Sequence, residues 1–185
     1  MQKRSRIACA VVMGALMAAS SVAVAGTTAY KYDPLGRVLL STYPDGSQDG
    51  FSYDSAGNRS ATRRAVIVPP TASDRLAAGQ GLIPGASITS PSGCFKLTLQ
   101  DDGNAVITDQ GAAIWSSSSS GAPSANIVMQ SDGNMVVYGP VGEVFWAAGS
   151  GGHPGGGFVQ MQNDGNLVIY QGSTVLWSSS TARTC

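Results

Sequence analysis

Gln100, Asp102 and Asn104 recur as Gln130, Asp132 and Asn134, and again as Gln162, Asp164 and Asn166. An ionised Asp only accepts hydrogen bonds, whereas Asn and Gln each offer a carbonyl and an amide. Such side chains, spaced two residues apart, suit hydrogen bonding to several neighbouring hydroxyls, and a charged acceptor strengthens each bond. They do not suit bond breaking. No Gly-x-Ser-x-Gly stretch offers a nucleophile, and the one histidine, His153, lies in a glycine loop where it reads as a solvated residue. The adjacent carboxylates Asp101 and Asp102 fall at a turn and point apart into solvent, a poor arrangement for acid–base work. Nothing has metal-ligand spacing or the form of a phosphate loop. These residues describe a binder and not an enzyme, with no cofactor and no metal.

The elements that must position them are legible around them. The full phrase has nine residues: QDDGNAVIT at 100–108, QSDGNMVVY at 130–138 and QNDGNLVIY at 162–170. The copies begin 30 and 32 residues apart, and Trp115, Trp146 and Trp177 follow them at offsets of 15, 16 and 15. A fixed period with a fixed internal pattern marks a repeat architecture. In each copy an alternating run enters, an Asp-Gly pair turns, and a run rich in β-branched residues leaves. That is a hairpin, because Gly accepts the positive φ of a tight turn. Further turns at 139–142 and 171–173 give each repeat three antiparallel strands, or four with a neighbouring segment. One repeat cannot bury its apolar face alone, but three can if each turns a face towards a common axis. The three Trp are the expected filling of that centre, each contributing ~1.5–3 kcal/mol by burial. The expected fold is all-β: a three-fold prism of antiparallel sheets. Turn chemistry alone accounts for Asp-Gly-Asn, but not for Gln two residues before and Tyr four residues after, repeated.

The pattern Gln-x-Asp-x-Asn-x-Val-x-Tyr resembles the mannose-binding motif of the bulb-type, monocot mannose-binding lectins. The resemblance spans residues 79–185 and implies the β-prism II fold with its three sub-sheets. It implies that Gln, Asp, Asn and the Tyr hydroxyl hydrogen-bond a sugar while Val packs on its apolar side. One site would be Gln130, Asp132, Asn134, Val136 and Tyr138, and another Gln162, Asp164, Asn166, Val168 and Tyr170. Gln100, Asp102, Asn104 and Val106 match in the first copy, but Thr108 stands where Tyr is expected, which makes this the weaker site. Mannose-type glycans are the implied partners, held in shallow sites whose useful strength comes from multivalency. Family members also pair by exchanging terminal strands, so a homo-oligomer is possible on that analogy.

Ahead of the prism, residues 1–25 read as a secretory signal peptide. Lys3, Arg4 and Arg6 precede an apolar stretch too short to span a membrane, and Ala23-Val24-Ala25 forms a small-x-small cleavage site. The expected location is secreted, periplasmic or cell-surface. Without that segment 8 basic residues face 11 acidic ones, and no basic patch argues for nucleic acid. No other stretch is a transmembrane candidate.

Residues 26–64 hold a different repeat: YDPLGR begins at Tyr32 and YDSAGNR at Tyr53, with an Asp45-Gly46 turn between. It resembles the YD repeat of Rhs-type bacterial surface and toxin proteins, which implies a bacterial source. Barely more than one period is present, and repeat units need about three copies to bury a core. A hairpin-like stub, a segment packed on the lectin domain and a remnant of a longer ancestor are the three readings. Residues 65–78 read as a linker stiffened by Pro69-Pro70. Leu76, Leu82, Ile83 and Ile88 then open the prism, and are expected to pair with the last repeat and close the ring. The inter-repeat stretches 116–125 and 149–157 read as flexible loops.

Two cysteines remain beyond residue 25, Cys94 and Cys185. An even pair in a secreted chain suggests one disulfide. Cys94 opens the first repeat and Cys185 lies beyond the last, so a bridge locks the ring. A loop of this length is worth ~4–5 kcal/mol in the chain-entropy model. Plant members of the family place their disulfide within one repeat. One of their half-cystines corresponds to Gly103 here, so that bridge does not carry over. The function implied by the whole is a secreted carbohydrate-binding lectin. The alternatives are a lectin-like bacteriocin or toxin-associated surface protein, and a structural module whose sugar sites have decayed.

Overall fold

The computed structural model describes residues 27–44, 47–121 and 125–185. The expected signal peptide and the Asp45-Gly46 turn lie outside them. The prism is built from strands whose residues alternate in the manner of a sheet with one buried face. In the first repeat β8 (Phe95–Leu99) pairs antiparallel with β9 (Ala105–Asp109), and β9 with β10 (Ala112–Ser116). The second repeats this with β11 (Asn126–Met129), β12 (Met135–Tyr138) and β13 (Val144–Ala147). The third does so with β14 (Phe158–Met161), β15 (Leu167–Gln171) and β16 (Thr174–Ser178).

Each sheet takes its fourth strand from the stretch before the repeats. β5 (Arg75–Ala77) pairs with β14, β6 (Gly81–Leu82) with β11 and β7 (Ser87–Thr89) with β8. This corrects the expectation that the opening strands all pair with the last repeat. It also places β5 within the stretch expected as a linker. Three successive short strands visit three sheets because each covers one open edge, and an uncovered edge would invite further pairing.

The core repeats as faithfully as the motif. Leu97 and Leu99, Ile127 and Met129, and Val159 and Met161 face Ala105 and Ile107, Met135 and Val137, and Leu167 and Ile169, all 0–1% exposed. Leu76, Leu82 and Ile88 add one residue from each opening strand. The three Trp form a ring, with centroids 5.5, 5.5 and 6.0 Å apart and edge-to-face planes. They are only partly buried and pack against this core. The dry centre is therefore aliphatic, with Phe95, and not the Trp filling expected. A bulge before each Trp, between Ala113 and Trp115 and at the equivalent places in β12–β13 and β15–β16, sets it opposite a core residue: Ile107, Val137 or Ile169. Cys94 and Cys185 form the disulfide expected, with Cα atoms 6.0 Å apart.

The YD segment is more than a hairpin-like stub. It is a four-stranded antiparallel meander of β1 (Ala29–Tyr32), β2 (Val38–Thr42), β3 (Ser47–Tyr53) and β4 (Arg59–Val66). The YD motif is its turn chemistry. Asp33 Oδ1 accepts from the backbone N–H of Leu35 and Arg37, and Asp54 Oδ1 from those of Ala56 and Asn58. The Arg37 N–H above all holds the Asp33 carboxyl below the usual carboxylate range, and for Asp54 the Asn58 side-chain amide, donating to Oδ2 at 3.1 Å, does most, followed by the Asn58 N–H. Arg37 lies over the Tyr53 ring, 4.5 Å from its centroid, which ties one YD unit to the next.

This sheet packs on the prism. Lys31 pairs with Asp101 at 3.1 Å, Ile67 is buried beside Gly81, and Val68 bridges Gln80 in parallel. Gly50 sits so close to the turn after β12 that a Cβ would collide with the Pro140 carbonyl. Gly50→Ala is therefore expected to destabilise the docked sheet by about 1–3 kcal/mol, the usual cost of overpacking. Hydrogen exchange should quicken in β1–β4 and stay slow in β8–β16. Uniform protection in the variant would show that the sheet does not depend on this contact.

Candidate functional site

The three motifs sit at equivalent hairpin turns: β8–β9, β11–β12 and β14–β15. Each turn is closed the same way. The Gln N–H donates to the Asn carbonyl, at 2.8, 2.7 and 3.0 Å for Gln100, Gln130 and Gln162. Gly103, Gly133 and Gly165 take φ of 87°, 89° and 80°, the left-handed region that Gly adopts most readily. Asp102, Asp132 and Asp164 each accept the N–H of the Asn two residues on at 2.9–3.0 Å through Oδ1. All three carboxylates are exposed. Asn134, Val136 and Tyr138 lie two residues apart on one face, as do Asn166, Val168 and Tyr170.

The second and third motifs share a contact that the first lacks. Gln130 Nε2 donates to Tyr138 Oη at 2.8 Å, and Gln162 Nε2 to Tyr170 Oη at 2.7 Å. In both pairs the phenol oxygen is the acceptor and the Gln amide the donor. In the first motif Thr108 instead donates to the Lys96 carbonyl at 3.5 Å, and Gln100 is exposed. The Lys31–Asp101 pair also brings the YD sheet against this turn. The structure thus places Gln, Asp, Asn and Tyr of two motifs on compact hairpins and leaves the first without its phenol.

Two expected roles change. The Asn carbonyls face inward. Asn104 Oδ1 accepts from Ser117 Oγ and Ser119 N, Asn166 Oδ1 from Ser179 Oγ and Thr181 N, and Asn134 Oδ1 from Ser150 N. Each Asn therefore has only its amide to offer outward. Val106, Val136 and Val168 are 5%, 2% and 2% exposed, so they pack mainly within their sheets and present little surface to a ligand.

The serine run expected to be a flexible loop is a strap over the turn. Ser119, Ser150 and Thr181 donate their hydroxyls to the carbonyls of Gly103, Gly133 and Gly165 at 2.8, 2.8 and 2.6 Å. The strap then meets each Asp carbonyl through the N–H of Gly121, His153 or Arg183. His153 is half-buried in this loop, its backbone N–H fixed on the Asp132 carbonyl. A signal was present: a Ser or Thr four residues after every Trp, as Ser119, Ser150 and Thr181. Ser118, Gly149 and Ser180, one residue earlier, share a positive φ.

The flanks distinguish the motifs. Beside the third, Phe158 stacks on Tyr170 with centroids 5.4 Å apart, and Arg75 lies over Phe158. Arg75 grips Asp74 through two 3.1 Å bonds, and Gln160 donates to Asp74 at 2.7 Å. The Arg75 guanidinium, followed by Gln160, holds the Asp74 carboxyl below its usual range. Among the described residues no group of three His, Cys, Asp or Glu stands close enough to hold a metal ion, and no helix is long and apolar enough to cross a membrane.

Residues 32–65 match the family described as RHS Repeat. Curculin-2 from Molineria latifolia is 37% identical over 78 residues, which is 42% of this chain and 48% of that protein. The chain thus spans about half the length of that relative. A monomeric monocot mannose-binding lectin from Gastrodia elata is 36% identical in its solved structure, with a TM-score of 0.56 over 60% of this chain and 99% of the other. The mannose-specific agglutinin of snowdrop (Galanthus nivalis) bulbs, solved with methyl-α-D-mannoside, is 34% identical with a TM-score of 0.51, over 58% and 96%. Both are lectins. A prism of three four-stranded sheets that takes in a 36% identical lectin almost end to end shows that this chain belongs to the bulb-type, monocot mannose-binding lectin family.

Proposed function

We propose that the chain binds terminal mannose, or a mannose-containing glycan, at the second and third motifs. The observation that carries this is the Gln–Tyr bridge found in those two hairpins and missing from the first. It orients two side chains beside a carboxylate, so each site gathers a tyrosine, a Gln carboxamide, an Asn amide and an Asp acceptor suited to vicinal hydroxyls. The ligand lies on an open surface and competes with water, so one site binds weakly and two on one chain bind surfaces with avidity. Export directed by residues 1–25 belongs to the same proposal, since glycans of this kind are met outside the cell.

Titration of the full chain with methyl α-D-mannoside tests it. Two equivalents per chain are expected. No saturable binding by a cooperatively folded chain would end the sugar reading, and three equivalents would put the first motif back among the sites.

The RHS Repeat match at residues 32–65 favours a second role, in a toxin-associated or bacteriocin-like surface protein that uses the lectin for targeting. Growth inhibition of glycan-bearing bacteria, abolished by free mannoside, would support it.

A further inference from the structure

The third motif is held in a way the other two are not. Its strap, after β16, donates Thr181 Oγ1 to the Gly165 carbonyl at 2.6 Å and Arg183 N to the Asp164 carbonyl at 2.6 Å. The corresponding strap of the second motif runs on from β13 into β14, so a strand fixes it on both sides. Among the described residues no strand follows β16, and each of the three sheets of the prism has four strands. The strap is tied instead by Cys185, two residues beyond Arg183, which is bonded to Cys94. Cys94 belongs to a second segment that grips the same turn. Ser92 N donates to Asn163 Oδ1 at 2.7 Å. The Phe95 ring lies against Gly165, where a Cβ would come within 2.7 Å of it.

We propose that the Cys94–Cys185 disulfide is the positioning device of the third sugar site alone. It joins the two segments that hold the Asn163–Asp164–Gly165 turn, and so sets the Asp164 and Asn166 side chains. It touches no sugar itself, and the second site, held by chain on both sides, is independent of it. This rests on the mannose reading above.

The test uses four full-length chains. Asp102→Asn with Asp132→Asn leaves the third site, and Asp102→Asn with Asp164→Asn leaves the second. Each is compared with and without Cys94→Ser and Cys185→Ser, by titration with methyl α-D-mannoside and by amide exchange. Without the disulfide, the third site should weaken by about fivefold or more, the equivalent of losing one positioning hydrogen bond. The second site should stay within about twofold, inside ordinary variation between unrelated sites. Gly165 and Asn166 amides should exchange faster, and Gly133 and Asn134 should not. Equal weakening at both sites, or none at the third, would overturn the proposal.

If neither disulfide-bonded chain binds the mannoside, the sugar reading fails. The exchange pattern then still decides the clasp, and equal or absent changes at the two turns would end it. Should the serine variants not fold, Arg183→Pro removes the strap's N–H while keeping the disulfide. A third site unaffected by Arg183→Pro would equally overturn the proposal, and a third site weakened while the second holds would support it.

Discussion

Phe95→Ala is expected to destabilise the prism by about 3–5 kcal/mol, the largest effect of any single truncation in this chain. Phe95 is wholly buried and is the largest fully buried side chain among the described residues. It is also where the three-fold repetition breaks, because Ala125 and Gly157 stand at the equivalent places before β11 and β14. The ring reaches from the first sheet to the turn of the third, where it lies against Gly165. Removing it leaves a cavity walled partly by a hairpin turn. That turn is closed by its own hydrogen bonds and held by the strap, so it cannot collapse inward, and the cavity penalty adds to the lost transfer energy. Denaturant unfolding checks this through a lower midpoint at an unchanged slope. A loss below about 1 kcal/mol would show that the neighbouring aliphatics close the gap.

Asp132→Asn combined with Asp164→Asn is expected to lower methyl α-D-mannoside affinity by about 10–100-fold at both sites, with no change in stoichiometry of the fold or in its circular dichroism. The substitution keeps size and shape, and an Asn carbonyl can still accept the backbone N–H that Asp Oδ1 accepts at 3.0 Å. The hairpin therefore survives. The charge does not, and hydrogen bonds to an ionised acceptor are roughly twice as strong as neutral ones. Asp102→Asn serves as the control and is expected to change nothing, because the first motif lacks the tyrosine partner of its glutamine. Calorimetric titration reads all three. If binding persists in the double variant, these carboxylates serve only their turns. If folding is lost as well, the charge is structural in a way that the hydrogen bonds do not account for.

Much of this protein could be read along the chain because its structure is local and repeated. The Asp-Gly turns, the alternation that buries Leu97 and Leu99 or Ile127 and Met129, and the period that sets three Trp at matching places all depend on residues within a few positions of each other. Turn geometry demands Gly at positive φ, and a strand shows one face every second residue, so these features are written in residue type and spacing. The Cys94–Cys185 pair was readable for a similar reason: it was the only even pair left beyond the leader-like segment.

The remainder depended on which distant segments meet. Residues 75–89 show three short apolar runs, but nothing in them says that each goes to a different sheet, because any of them could cover any open edge. Ser117 and Ser119 look like loop residues until the fold brings Asn104 and Gly103 beneath them and gives their hydroxyls acceptors. The same meeting turns the Asn carbonyls inward and buries the motif valines. Gln and Tyr, eight residues apart at the two sides of a hairpin, become partners only once the register of that hairpin is set. Residue types settle what a side chain can donate, accept or bury; the neighbours that fill those capacities arrive from far along the chain, and a neighbour that is absent in sequence leaves no local mark.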